Sequence, residues 1–410
     1  MVVAACTPPQ PDASRGEPGP DASSSGEPQP DASSGEMATD DAKAGEGPTR
    51  PGEPTAALKI PPELGGSFGD IAEGRVVWAS EPRKPGFSRA GVWMARLPNG
   101  KPQLLARAAE RSLVAAVDAA PPFVSWIEYR ENAQFSGPWA IHVFDLRTQE
   151  SAIVASWRDT GLPAAQQSIP FVRMNNGVLV WQDRAKNASD RATFCIRRYD
   201  IVRAAGKPVF CTESSDSYPH FASVRDGVVS YIVNTRQSTE TGAAISEPRS
   251  PQYPELATLF QRKGALQGWQ LMTREVVADR KGVAWIAETP GVQGGGRIFY
   301  WEPGERVVSL RTKFDDFPAS KVDFVGGAIV WEEPDRANNI FGADRKVFGC
   351  APAVVPLLPR SMVRGRTSVR LLGVSPEQVL IGIRRFTSDP LPRQDMVIIS
   401  ASSFPMPTEC

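Results

Sequence analysis

From residue 66 onward, short apolar runs alternate with polar, turn-rich stretches, and most of the runs end in an aromatic. Six copies are Arg75-Val76-Val77-Trp78, Phe123-Val124-Ser125-Trp126, Val178-Leu179-Val180-Trp181, Val228-Val229-Ser230-Tyr231, Val283-Ala284-Trp285 and Ala328-Ile329-Val330-Trp331. A seventh, Val379-Leu380-Ile381-Gly382-Ile383, keeps the place without the aromatic. Successive aromatics lie 48, 55, 50, 54 and 46 residues apart, and Ile381 follows 50 residues later. Short β-branched runs bounded by turn residues read as strands. A period near 50 residues with several strands per unit reads as propeller blades. The expected fold is all-β: a single propeller of seven blades, each of four antiparallel strands, A to D.

Each unit repeats inside itself. A turn-bounded run precedes the aromatic strand, as in Pro170-Phe171-Val172 and Pro219-His220-Phe221, and a hairpin follows it, as in Val92-Trp93-Met94 and Gln103-Leu104-Leu105 around Pro98-Asn99-Gly100. Gly and Asn at such turns supply the positive φ that tight connections need. Register with the other units makes Pro254-Glu255-Leu256-Ala257-Thr258-Leu259-Phe260 strand C of blade four, although it is also the best helix candidate. The recurrent aromatic is expected to fill the wedge between blades, a burial worth up to about 5 kcal/mol per site. The last unit runs short of strands, so Ala57-Leu58-Lys59-Ile60 is expected to complete blade seven and close the ring. Closure removes the edges that would pair with other chains, and a monomer is expected.

Ahead of the repeats the pattern vanishes. Pro-Asp-Ala-Ser occurs at residues 11–14, 20–23 and 30–33, and Gly-Glu-Pro recurs at Gly16, Gly26 and Gly52. Almost nothing there can be buried to offset the entropy of ordering, so residues 7–55 are expected to be a disordered linker. Residues 56–410 are expected to be the propeller. Net charge over the chain is zero, yet residues 7–57 hold ten acidic and three basic side chains, leaving +7 on the remainder. That asymmetry favours solubility, and no nucleic-acid partner is expected. No run of 18 apolar residues offers a membrane span.

Val3-Ala4-Ala5-Cys6 resembles a bacterial lipobox, the aliphatic-small-small-Cys signature of lipoproteins. Five residues are too few for a whole signal peptide, so residues 1–6 are expected to be the remnant of one. The resemblance implies a lipid on Cys6, export, and an anchor in the bacterial envelope, at the outer membrane facing the periplasm or the exterior. The four remaining cysteines suit an oxidising compartment. Cys195 with Cys211, and Cys350 with Cys410, are the expected disulfides.

The Pro–Gly–aromatic spacing in Pro219-x7-Gly227-Val228-Val229-Ser230-Tyr231 and Pro318-x7-Gly326-x4-Trp331 resembles the TolB-like propellers. That resemblance implies an envelope protein working through contacts rather than chemistry.

Candidate chemistry is sparse. Gly65-Gly66-Ser67-Phe68-Gly69 matches G-x-S-x-G, but Pro61-Pro62 precedes it and no helix follows, so no nucleophile elbow is expected. With only His142 and His220 in the chain, no Cys-x-x-Cys and no calcium loop, no cofactor or metal site is expected. His142 reads as an ordinary strand residue. One pattern does recur: charged residues stand just past the core aromatic, at Glu81, Glu128, Arg130, Asp183, Arg184, Glu288, Glu332, Glu333, Arg384 and Arg385. These B–C positions are expected on one face around the channel mouth, with His220 at the start of an inner strand. The loop of blade four, about residues 234–253, is the longest there. The function expected is a non-enzymatic module binding a protein or a cell-wall component on that loop face. The alternative is a glycan- or lactone-acting enzyme with paired carboxylates at the channel mouth.

Overall fold

The computed structural model describes residues 54–404, apart from 62–63, 67, 81–89, 131–135, 213–216, 237–243, 257–258, 260–271, 289–295, 311–318, 320, 334–338, 345–354, 360, 364–366 and 387–392. Cys6, Glu81, Cys350 and Cys410 lie outside the described residues, and so does the proposed Cys350–Cys410 pairing.

Seven antiparallel sheets form a seven-bladed propeller. The A strands are Gly69–Ala72, Ser112–Ala120, Val172–Asn175, Ser217–Arg225, Met272–Ala278, Lys321–Val325 and Thr367–Val374. These touch one another in cyclic order, and the seventh touches the first, so they line the central channel. The B strands are Arg75–Ser80, Phe123–Arg130, Val178–Lys186, Val228–Arg236, Val283–Glu288, Ala328–Glu333 and Gln378–Arg385. Because a strand inside a blade faces a neighbouring blade on each side, both of its faces are apolar, which is why the B strands read as continuous runs rather than alternations.

Seven hydrophobic clusters fill the seven blade interfaces. Each core aromatic points to the preceding blade. Trp331 packs with Val277 and Ile286 of blade five, Trp285 with Val228 and Ile232 of blade four, and Trp78 with Leu380 and Ile398 of blade seven. Trp78, Trp285 and Trp331 are among the largest fully buried side chains. The wedge-filling role read from the sequence is the observed one, and Ile381 takes the place in blade seven.

Ala56–Ile60 pairs antiparallel with Arg393–Ser400, the C strand of blade seven, from Ala56 opposite Ile398 to Ile60 opposite Gln394. The two ends of the described chain thus close the ring in one sheet. Gln394 adds a clamp, accepting from Gly66 N at 3.1 Å and donating to Gly66 O at 2.9 Å. Gly66 is required here, since a Cβ would stand 1.5 Å from Ala79 O. The G-x-S-x-G match is therefore a site of close backbone approach, and Gly69 opens a strand rather than a helix.

Blade four departs from the sequence reading. Its C strand is Ala244–Arg249, paired with Val228–Arg236, and no fourth strand appears among the described residues. Leu256 and Leu259 are helical, with Leu259 N donating to Glu255 O, and Leu256 is fully buried against blade five. At Leu256 and Leu259 the helical spacing prevails over the inferred register, and the long loop assigned to 234–253 contains that C strand.

Cys195 and Cys211 are ladder partners in blade three and form a disulfide with Cα atoms 4.1 Å apart. Loop-closure entropy over the 16-residue separation makes this bond worth about 3 kcal/mol. Replacing both cysteines by Ser should lower the unfolding free energy from urea titration by that amount, and an unchanged value would show that the hairpin is equally constrained without the bond.

Candidate functional site

The A–B turn sets which side chains the channel receives. In every blade the residue eight before the core position pairs with the residue one before it. Around the ring that position is Asp70, Asp118, Arg173, Ser223, Val277, Asp323 and Gly373. Side chains from six of these blades line a cavity of about 560 Å³ at the A–B end of the channel, ringed by turns at Glu73–Gly74, Asn175–Asn176 and Ser375–Glu377. Arg225 and Lys321 join them in its wall.

An A strand is an edge strand, so its outward N–H groups need acceptors from elsewhere. Asp70 Oδ2 accepts Ala119 N of blade two at 2.8 Å, and Asp118 Oδ2 accepts Met174 N of blade three at 2.8 Å. Asn175 Oδ1 likewise accepts Asp226 N of blade four at 2.9 Å. Between blades six and seven, Glu332 accepts Leu371 N at 2.8 Å and pairs with Arg370 at 2.7 Å. Arg225 of blade four instead reaches Asp323 of blade six. Lys321 Nζ donates to Leu371 O at 3.2 Å and Leu372 O at 2.7 Å.

Burial and the neighbouring Asp118 push Asp70 up to about 7, and burial pushes Glu275 of blade five up to about 7 as well. Burial also raises Asp118, against the pull of Arg173, and lowers Lys321. For Arg173, burial opposes the charge, but Asp118, Glu275, Asp323 and Asp70 together raise it above its ordinary value. No hydrogen bond holds this guanidinium among the described residues, and Nη1 stands 3.6 Å from Asp118 Oδ1.

Most of the charged residues nominated from the sequence serve their own blades. Residues two apart on a strand share a face, so an acid two positions after the core Trp can accept its indole N–H. Trp331 Nε1 donates to Glu333 at 2.8 Å, and Trp181 Nε1 to Asp183 at 3.3 Å. Asp183 is also paired with Arg197 at 3.2 Å, and burial raises its carboxyl. Glu128 accepts Ala109 N at 3.0 Å and lies 3.7 Å from His142, which stacks on Trp126. Arg385 bonds Asp395 at 3.2 Å, Arg130 is exposed at its strand end, and Glu288 closes the B strand of blade five. The described carboxylates past the core aromatics, those of Glu128, Asp183, Glu332 and Glu333, are thus engaged by their own or a neighbouring blade, and Glu81 lies outside the described residues. The carboxylates that meet in the channel are those of the A strands, and their cavity opens at the A–B end.

Two nominated residues do come together, Arg184 and His220. On the B–C side, between blades three and four, five rings form a row: Phe194 to Tyr218 at 6.0 Å, Tyr218 to His220 at 5.6 Å, His220 to Phe221 at 4.4 Å, and Phe221 to Phe171 at 5.6 Å. Arg184 lies over Phe194 at 5.5 Å. Phe171 is 48% exposed, and Tyr218 and Phe221 are each 36% exposed. Phe221 sits in the bulge of its strand at φ 48°, which turns its ring toward its neighbours. Burial depresses His220 to about 4, so it is neutral at ordinary pH and only weakly basic.

No group of three or more metal-binding side chains exists among the described residues. No protein-family model and no curated protein sequence matches the chain. Solved structures do resemble it. A prolyl endopeptidase matches with a TM-score of 0.54 at 12% identity over 82% of this chain and 48% of that one. The oligogalacturonate lyase of Vibrio parahaemolyticus matches at 0.50 and 11% identity, over 86% and 100%. TolB of Acinetobacter baumannii is more distant, at 0.37 and 13% identity over 79% and 63%. Peptidase and lyase share little chemistry, and at such identities the likeness concerns the fold alone: the chain is a seven-bladed β-propeller.

Proposed function

We propose that this propeller is a non-enzymatic binding module, held at the bacterial envelope by a lipid on Cys6, that takes a protein or a cell-wall component in the groove between blades three and four. The observation that supports this most is the five-ring row with its exposed Phe171, Tyr218 and Phe221. A contiguous exposed aromatic strip costs solubility and adds nothing to the core, so it marks a contact surface. Rings with few rotatable bonds, rimmed by the Arg184 guanidinium, are what binding hot spots are made of. The lipobox and the TolB-like spacing of Pro219, Gly227 and Tyr231 favour an envelope setting for that contact.

The test is affinity purification from detergent-solubilised envelope with wild type and a Phe171→Ala/Tyr218→Ala/Phe221→Ala variant. Wild type should carry a companion at near-equal stoichiometry and a diacyl or triacyl mass on Cys6. The variant loses three rings that are half or more covered, so it should stay folded with a somewhat lower melting temperature and recover at least tenfold less companion. Equal recovery by both proteins would remove the groove from the proposal, and an unmodified Cys6 would remove the anchor.

A glycan- or lactone-acting enzyme is the second reading. Asp70 and Glu275, raised to about 7, lie in the range a general acid uses. Binding is better supported, because Asp70 and Asp118 each commit an oxygen to the backbone of the next blade.

A further inference from the structure

The cavity at the A–B end of the channel is separate from the aromatic groove, and the binding-module reading does not use it. Its volume of about 560 Å³ lies in the range of small-molecule sites. Its wall carries both signs of charge, contributed by different blades, and most of these groups are already engaged. Arg225 is spent on Asp323 across the channel, and Lys321 on two carbonyls of blade seven.

Arg173 is the exception. Its side chain is a third exposed and, though ion-paired with Asp118, has no hydrogen bond among the described residues. It faces Asp118 Oδ1 at 3.6 Å, beyond hydrogen-bonding distance. On the two preceding blades stand Asp118, whose Oδ2 accepts Met174 N and whose Oδ1 faces Arg173, and Asp70, whose Oδ2 accepts Ala119 N. A cation held by an ion pair but by no hydrogen bond among the described residues, and two buried carboxylates, therefore line the cavity from three consecutive inner strands.

We propose that this cavity binds a compact zwitterion, a free α-amino acid or the equivalent end of a short peptide. Its carboxylate sits on Arg173 and its ammonium between Asp70 and Asp118. Ligands of one sign fit worse. A simple anion at Arg173 would meet Asp118, Glu275, Asp323 and Asp70 around the same guanidinium. A bare metal ion has no set of three ligands among the described residues. An ammonium between Asp70 and Asp118 offsets the repulsion of two carboxylates held close together, and a carboxylate on Arg173 gains a charge-assisted, two-pronged contact.

The pH behaviour of the wall gives a second readout. Asp70, raised to about 7 by burial and by Asp118, is partly protonated at neutral pH. An ammonium beside it favours the ionised form, so binding at pH 7 releases protons.

The experiment is isothermal titration of the full chain at pH 7 in two buffers of different ionisation enthalpy. The probes are the twenty L-amino acids and glycylglycine, with acetate and ethylammonium as single-charge controls. At least one zwitterion should bind, with proton release, and at least tenfold more tightly than either control. Arg173→Gln and Asp118→Asn should each weaken it tenfold or more while keeping the wild-type far-ultraviolet spectrum. No heat from any zwitterion at 10 mM, or equal binding of acetate or ethylammonium, overturns the proposal. Because the wild-type arms stand alone, the outcome does not depend on the variants folding. The aromatic groove is untouched by these probes, so failure here leaves the binding-module reading where it was.

Discussion

Deletion of residues 55–62 is expected to lower the melting temperature by about 10 °C or more and to make the protein aggregate. The segment contributes Ala56–Ile60, five ladder pairs with the C strand of blade seven. Leu58 and Ile60 are 6% and 4% exposed, packed with Trp78 of blade one and Met396 and Ile398 of blade seven. Two such side chains are worth about 2 kcal/mol each, and each ladder hydrogen bond a net of about 1 kcal/mol. Loss of the segment also bares Arg393–Ser400 as an edge strand with buried-type residues on it, an invitation to pair with another chain. Differential scanning calorimetry and size exclusion of the truncated chain check both parts. Leu58→Ala/Ile60→Ala, which keeps the backbone ladder, should give roughly half the loss and stay monomeric. A truncated chain that melts like wild type would mean that blade seven is self-sufficient and that ring closure contributes little.

The strands and their ring order were legible because the signal is periodic and redundant: six aromatics at nearly constant spacing each mark a position buried against the preceding blade. Closure by residues 56–60 was legible as a strand missing from one end and present at the other. Blade four was misread because register was allowed to outweigh local periodicity, and Leu256 and Leu259 sit at helical spacing for a reason. The charged residues past each aromatic were visible, but sequence cannot tell a wet loop acid from one that accepts an indole N–H, as Glu333 and Asp183 do. The channel groups left a signal that was not used. Asp70, Asp118, Arg173 and Asp323 each stand eight residues before a core Trp, as charges inside otherwise apolar runs. Asp70 and Asp118 have a cause in blade packing, each accepting an edge N–H of the next blade, and Asp323 pairs with Arg225, whereas Arg173 makes no such backbone contact among the described residues. The aromatic row, by contrast, was not legible at all. It needs Phe171 and Phe194 of blade three to meet Tyr218 and Phe221 of blade four, a contact only the fold provides.

Asp70→Asn is expected to stabilise the protein at pH 8 by an amount on the order of 4 kcal/mol and to flatten its pH dependence. The Asp70 carboxyl is 7% exposed and raised from 3.8 to about 7 by burial and by Asp118. In the unfolded chain it ionises near its ordinary value, so between about 4 and about 7 the folded state holds a proton that the unfolded state has lost. Stability therefore falls as pH rises through that window, and above it the folded protein carries the full cost of a buried anion. Asn keeps the acceptor for Ala119 N and the close fit against Gly373, where a Cβ would meet Asp70 Oδ1 at 2.0 Å, but it carries no charge to bury. Urea midpoints at pH 5 and pH 8 decide the matter. Wild type should be weaker than the variant by the full amount at pH 8 and by only about a third of it at pH 5, because the unfolded chain has already lost its proton there while the folded carboxyl keeps it. Glu275, raised to about 7 as well, should leave the variant a residual slope that Asp70→Asn/Glu275→Gln reduces further, with buried Asp118 and Asp183 keeping the remainder. A wild type equally stable at both values would mean that the channel solvates Asp70 as well as bulk water does. If the slope is found, the chain keeps at Asp70 an ionisable group whose neutral isostere would be more stable, and a side chain that lowers stability in a cavity wall is one whose charge is used there.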